Sequence, residues 1–192
     1  MKQIFALIRL SVFLVLLMAL PSSAAADEYK IDPEHTSVVF KIGHLDVSYT
    51  WGRFNTISGN LSLNEDDPSA SSITIEIDVN SIDTNNEKRD KHLRGPDFFN
   101  VKTYPKATFK SKSFKVKGDN YTVVGDFTLH GQTREVTLEV VRVGSGKDPW
   151  GGFRTGFSGE LALKRSDYGI KGLIGPVADD LVLFLDVEAI KQ

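Results

Sequence analysis

Apolar and polar side chains alternate along most of this chain, and the alternation predicts strands. In its clearest stretch, about 72–80, Ile73, Ile75, Ile77 and Val79 alternate with Thr74, Glu76, Asp78 and Asn80. A period of two places each set on one face of a pleated strand. The same rhythm runs through about 37–45 (Val38, Phe40, Ile42, His44), 52–63 (Ile57, Gly59, Leu61, Leu63), 106–117 (Ala107, Phe109, Ser111) and 120–130 (Tyr121, Val123, Gly125, Phe127, Leu129). It continues through Val136, Leu138 and Val140, through 153–165 (Phe153, Thr155, Phe157, Gly159, Leu161, Leu163), and ends with Leu181, Leu183, Leu185, Val187 and Ala189. Phe54 falls out of phase with its strand, which predicts a bulge near Asn55. Gly118-Asp119-Asn120 and His130-Gly131-Gln132 read as hairpin turns, and 144–152 as a Gly/Ser loop.

Helical periodicity is nearly missing. One interruption stands out: Thr84-Asn85-Asn86-Glu87 has capping-box form and Gly95-Pro96 is a stop signal, which predicts a short polar helix over 85–94 lying across one end of the sheet. The fold class is therefore all-β, with about eight antiparallel strands. Eight strands close into a small barrel able to hold one ligand. A two-sheet sandwich fits the strand count nearly as well.

The start of the chain has a different pattern. Lys2 and Arg9 precede a nearly continuous apolar run from Leu10 to Leu20, followed by Pro21 and the small residues Ser22 to Ala26. This is the order of a secretion signal, with Ala24 and Ala26 fitting the cleavage site and Asp27 the first mature residue. The apolar run is shorter than the ~20 residues a membrane span needs. The expected organisation is a removable signal peptide at 1–26 and a single domain at 27–192. The signal carries two of the 23 basic residues and none of the 25 acidic ones, so the remainder has a net charge of −4. A mildly acidic domain has no broad field for nucleic acid. The absence of cysteine excludes disulfides, thiol catalysis and cysteine metal sites.

Small residues (Gly59, Ser111, Gly125, Thr155, Gly159) share the parity of the inward-facing apolar ones. A filled core at normal packing density would carry bulk there, so these positions suggest reserved space in a hollow barrel. Strands of about ten residues would enclose a tunnel on the order of 25 Å long, a shape suited to a long alkyl or isoprenoid chain. Burying ten methylenes contributes roughly 8 kcal/mol before the costs of binding, so micromolar affinity needs no further device.

Few polar residues suggest chemistry. His44 lies on the apolar face by parity, where it either meets a ligand head group or is a hydrogen-bonded core histidine. Arg165 ends the inward series of its strand, either as an exposed strand end or as a counter-charge at the barrel mouth. Asp90 and His92 stand about 200° apart around a helix and do not form a dyad. The four histidines have no HxH or HxxxH spacing, and there is no GxSxG elbow, phosphate loop or dinucleotide fingerprint.

Several segments, taken in order, resemble one family. They are Tyr29-Lys30-Ile31-Asp32-Pro33 with His35-Thr36-Ser37-Val38; Gly52-Arg53-Phe54 with Ser58-Gly59; Arg94 and Asp97-Phe98-Phe99-Asn100-Val101; Tyr104-Pro105-Lys106-Ala107-Thr108-Phe109; Leu129-His130-Gly131-Gln132-Thr133-Arg134; and Arg165-Ser166-Asp167-Tyr168-Gly169. Jointly they cover the domain and are similar to the YceI-like, polyisoprenoid-binding family. The resemblance implies a lipocalin-like barrel, a long apolar ligand of isoprenoid or fatty-acid amide type in its lumen, export to the periplasm and a homodimer. The late motif commonly has Phe where this chain has Tyr168, which adds a hydroxyl.

On this reading the protein is a lipid carrier or scavenger without catalysis, with no cofactor beyond its bound lipid and with transient membrane contact for loading. Phe40, Ile42, His44, Phe54, Ile75, Ile77, Phe109, Phe127, Phe157 and Leu161 would line the lumen, and Arg53, Arg94, Arg165 and Tyr168 would serve a ligand head group. The alternatives are an enzyme acting on such a lipid, with His44 or His92 as acid–base, and a stress-response interaction domain with a filled core.

Overall fold

The computed structural model describes residues 25–192, so all but the last two residues of the expected signal at 1–26 lie outside the described residues. Strand segments follow in chain order: β1 (Asp27–Ile31), β2 (Ser37–His44), β3 (Ser48–Phe54), β4 (Ile57–Leu63), β5 (Ser72–Asp78) and β6 (Ile82–Asp83). After the helix α1 (Glu87–Leu93) come β7 (Lys106–Lys117), β8 (Asn120–Leu129), β9 (Gln132–Lys147), β10 (Phe153–Lys164) and β11 (Val177–Lys191).

The first six segments are halves of three bent strands: β1 and β2 both pair with β11, and as a pair with β4 and β3, while β5 and β6 continue one another against β4 and β3. Counted this way the sheet has eight antiparallel strands, each joined to the next along the chain. It closes because β11 pairs with β10 on one side and with β2 and β1 on the other, from Val177↔His44 to Tyr29↔Lys191. Closure leaves no free edge along most of the wall and settles the choice between barrel and sandwich.

The bends have local causes. The break at Asn55–Thr56, next to the out-of-phase Phe54, is pinned by Ser81, whose hydroxyl accepts from both the Asn55 and Thr56 amides at 3.0 Å. The break between β1 and β2 is held by β11: the Asp32 amide donates to the Glu188 carbonyl, and Thr36 exchanges hydrogen bonds with the Glu188 backbone. The segment 27–31, which did not stand out by alternation, is the strand that completes the ring.

The helix is shorter than its sequence signal. Its N-cap is Asn86, whose side chain accepts from the Arg89 amide at 3.0 Å. Thr84 is not the cap, because it still belongs to the extended chain leaving β6. Its hydroxyl and amide donate to the buried Asp90 carboxylate, and Arg89 Nε donates to its hydroxyl at 2.7 Å.

The small inward-parity residues do not reserve empty space. A Cβ at Gly125 would lie 2.6 Å from the Lys110 carbonyl and 2.6 Å from the Phe109 ring, and one at Gly159 would lie 2.6 Å from the Val140 side chain. Gly59 is pressed by the Thr74 carbonyl. The Ser111 hydroxyl accepts from the Ile73 amide, and Thr155 is fully buried against Ser145. These positions are small because neighbouring strands approach closely where the sheet curls, a common use of glycine in barrels.

An ion cluster ties β1, β10 and β11 together beside the bend. Arg154 donates from Nη1 to Asp32 at 2.6 Å and also to Glu188, and from Nε to Asp148 at 3.0 Å. His35 adds a 2.9 Å contact to Asp32. Burial pushes the Asp32 carboxyl up, but hydrogen bonds from His35, Arg154 and the Glu34 amide outweigh it and hold the carboxyl at about 2.

Two stability measurements test these assignments. Gly125→Ala is expected to cost about 1–3 kcal/mol in urea unfolding through overpacking, while Gly144→Ala, where a Cβ meets nothing within 4 Å, changes little. Because the folded pKa of Asp32 lies below its unfolded value, its contribution is complete above about pH 4 and is lost as pH falls toward 2. Asp32→Asn should remove about 2 kcal/mol of this acid-labile stability, seen as a flatter pH dependence of the unfolding midpoint below about pH 4.

Candidate functional site

The inward side chains do not fill the barrel. A wide chamber of about 480 Å³ lies toward the end that carries α1, and a narrow one of about 100 Å³ lies deeper. The wide chamber alone falls within the range of about 300–1,000 Å³ typical of ligand sites. Val38, Ile77, Phe127 and Leu183 line both chambers and form a waist between them. Phe127 is braced from behind by an edge-on contact to Tyr168, with ring centres 5.6 Å apart.

Strand alternation places the predicted lumen residues on this surface. Phe40, Ile42, His44, Phe54, Ile77 and Phe127 line the wide chamber. Ile75, Phe109, Phe157 and Leu161 line the narrow one, again with Ile77 and Phe127. Phe54, although out of phase, is brought inward by the bend that follows it and packs on Phe40 and Phe99. Phe40 itself lies across Gly52 of the paired strand, which has no side chain to block it. The deeper chamber is lined by apolar and aromatic side chains apart from Thr36, and Tyr121 meets Phe157 edge-on there with ring centres 5.1 Å apart.

The polar candidates need correction. Arg53 lies exposed on the outward face of β3, because its parity is opposite to that of Gly52 and Phe54. Arg94 faces away from the lumen and donates to the Asn80 and Ile82 carbonyls, fastening the helix end to the β5–β6 bend. Tyr168 is buried behind Phe127, outside the chamber walls, and burial raises its phenol pKa. Arg165 does line the wide chamber, but it is no exposed strand end. It is 3% exposed and donates to the carbonyls of Ala178, Ile170, Gly172 and Val177. Burial lowers its pKa. Four carbonyl contacts make Arg165 the brace of the 165–177 loop, which leaves little of its fork for a ligand.

Other polar groups reach the wide chamber. Ser48, Thr50, Thr84, Arg89 and His92 line it beside His44. His44 is exposed and sits at the mouth, so it is not a core histidine. Arg89 and His92 come from α1, and Leu173 and Ile170 from the loop after β10. Sequence reasoning missed Ser48 and Thr50, which share the inward parity of Gly52 and Phe54 on β3, because they are polar and precede the alternation that marked the strand at 52–63, and it missed Arg89 because attention fell on strand positions. A helix laid over the mouth contributes from a different period.

The arrangement offers little catalytic machinery. Asp90, buried under Thr84, does not meet His92, whose Nε2 lies 3.3 Å from the exposed Asp97. The atoms of Asp32, His35 and Glu188 lie close enough to hold a cation, but the Arg154 guanidinium already rests on two of the three. A metal there would have to displace that charge.

Comparisons with known proteins agree with this architecture. The YceI-like domain model matches residues 29–189. A UPF0312 protein of Pseudomonas aeruginosa (strain LESB58) is 46% identical over 171 residues, covering 88% of this chain and 90% of its own length. A UPF0312 protein of Yersinia pestis (strain Pestoides F) is 43% identical over 177 residues, covering 91% and 92%. Among solved structures, Burkholderia cenocepacia BcnA superposes with a TM-score of 0.75 at 27% identity, over 82% of this chain and 98% of its own. A polyisoprenoid binding domain from Saccharophagus degradans, implicated in plant cell wall breakdown, shares the fold with a TM-score of 0.65 at 18% identity, over 85% and 98%. A hollow eight-stranded barrel and a domain match along nearly its whole length place this chain in the YceI-like family.

Proposed function

We propose that the protein encloses one long-chain apolar lipid, of polyisoprenoid or fatty-acid amide type, and carries or sequesters it in the periplasm without chemical change. The observation that carries this reading is the lumen itself: two apolar chambers in line, about 480 and 100 Å³, inside a closed wall. An interior of normal protein density leaves few voids larger than a water molecule. The polyisoprenoid binding named for the Saccharophagus neighbour supports the ligand class. The signal pattern at 1–26 supports the compartment. Polar groups gathered at the mouth and apolar ones beyond the waist suit a molecule with one polar end.

On this reading the tail enters first and the head group stays near His44, Arg89 and His92, where solvent reaches it. Arg165 acts indirectly by holding the loop that forms one side of the mouth. The enzyme alternative finds less support. The His44 imidazole makes no hydrogen bond among the described residues, and no carboxylate orients it toward the chamber.

Organic extraction of the native protein followed by mass spectrometry is expected to release an apolar long-chain compound. Recovery of an empty protein that takes up no prenyl lipid would sink the reading. Leu163→Trp, directed into the wide chamber, should lower prenol uptake about tenfold or more while the barrel still unfolds cooperatively. Phe127→Leu should widen the waist and shift preference toward longer chains, measured by competition among prenols of graded length. An unchanged length profile would remove the waist from the account.

A further inference from the structure

The end of the barrel that opens into the wide chamber carries apolar side chains left exposed among the described residues. Leu45 and Val47, 55% and 84% exposed, form the tip of the β2–β3 turn, and Leu173, 56% exposed, lies on the neighbouring loop. The two loops are joined by the Leu45 amide, which donates to the Pro176 carbonyl at 2.8 Å. Leu173 also lines the wide chamber, so it links the exposed rim to the lumen.

Local stability does not account for leucine at two of these positions. Leu45 and Leu173 have φ of 54° and 52°, the left-handed region that favours glycine or asparagine. A loop tip shaped only by its own folding would carry a small or polar residue there.

The outer wall below the tip continues the pattern. Tyr49 and Trp51 point outward and are exposed, and Lys41 Nζ lies 4.0 Å from the Tyr49 ring centre and 5.6 Å from that of Trp51. At ~3.3 Å per residue these rings sit roughly 7 and 13 Å below Val47. An aliphatic tip followed by amphipathic rings with a cation lying among them is the kind of side-chain grouping found at a membrane interface.

Charge distinguishes the two ends. The connections at the mouth (45–47, 84–105, 130–131, 165–176) carry seven basic and five acidic side chains, Asp46 at the tip among the latter. Those at the opposite end (64–71, 118–119, 148–152) carry five acidic and no basic ones. In a domain of net negative charge this asymmetry turns the mouth toward an anionic surface.

We infer that the mouth docks on an anionic bilayer, with Leu45, Val47 and Leu173 entering the headgroup boundary, so that a lipid passes between membrane and lumen without crossing water. The inference rests on the lipid-binding reading of the lumen.

The test uses residues 27–192, which supply every strand of the closed sheet. The chain has two tryptophans, so Trp150→Phe leaves Trp51 as a reporter at the mouth end. With vesicles of phosphatidylcholine and phosphatidylglycerol that carry a dansyl-labelled headgroup, Trp51 emission should fall as it transfers energy over the roughly 13 Å that separate it from the docked tip. Vesicles of phosphatidylcholine alone, or raised salt, should weaken the effect. Leu45→Asn with Val47→Ser, neither of which lines the lumen, should weaken vesicle partition about tenfold or more. The same variant should still take up prenol delivered from cyclodextrin. Unchanged Trp51 emission, or a variant that partitions as well as the parent, overturns docking while leaving the lumen reading intact if prenol uptake persists. A dimer in sedimentation that this variant dissociates overturns it too, by assigning the rim to a second copy. Docking with no prenol uptake supports the membrane surface and removes the lumen reading instead.

Discussion

Closure of the sheet through β11 is the constraint on which everything else depends. A barrel with chambers among its inward side chains has less packed centre than a filled domain, so its wall must supply more of the order. β11 does this by pairing along one side with β10 and along the other with both halves of the bent first strand. No disulfide assists. The Arg154 cluster, the Thr36–Glu188 exchange and the β1–β11 ladder all reinforce the place where the bent first strand meets the last one.

A closed wall also dictates where specificity resides. Strands present one residue in two to the interior, and in this chain most of those are aliphatic or aromatic. They provide burial but little discrimination. The features that shape the lumen come from departures from that regularity: the waist at Phe127, the inward turn of Phe54 at a strand break, and the polar side chains supplied by α1. The mouth is built from connections rather than strands. It can therefore carry an exposed apolar rim and a basic bias that the wall itself does not.

The location of the chambers follows from the same division of labour. Glycines at close approaches let the wall curl tightly, and large side chains such as Phe40 lie over the gaps they leave. The hollow is thus a consequence of curvature and strand number rather than of small residues facing it. Gly59, Gly125 and Gly159 were legible as special positions, but their role was read with the wrong partner. A glycine can be required by a neighbouring backbone as readily as by a ligand, and one strand viewed alone does not distinguish these cases.

The sequence by itself pointed to about eight strands, the face most of them turn inward and, Phe54 apart, the expected lumen residues that line the two chambers. A two-residue period records facing directly, and each strand carries its own copy of the record. The Phe54 irregularity was legible for the same reason, as a break in that period. The tertiary structure decided what the period cannot encode. It showed that Arg165 is held by four carbonyls, that Arg53 and Arg94 look away, that Tyr168 stands behind the wall, and that Arg89 reaches the chamber from a helix. Each of these depends on contacts between segments far apart in the chain, and it is closure of the barrel that brings those segments together.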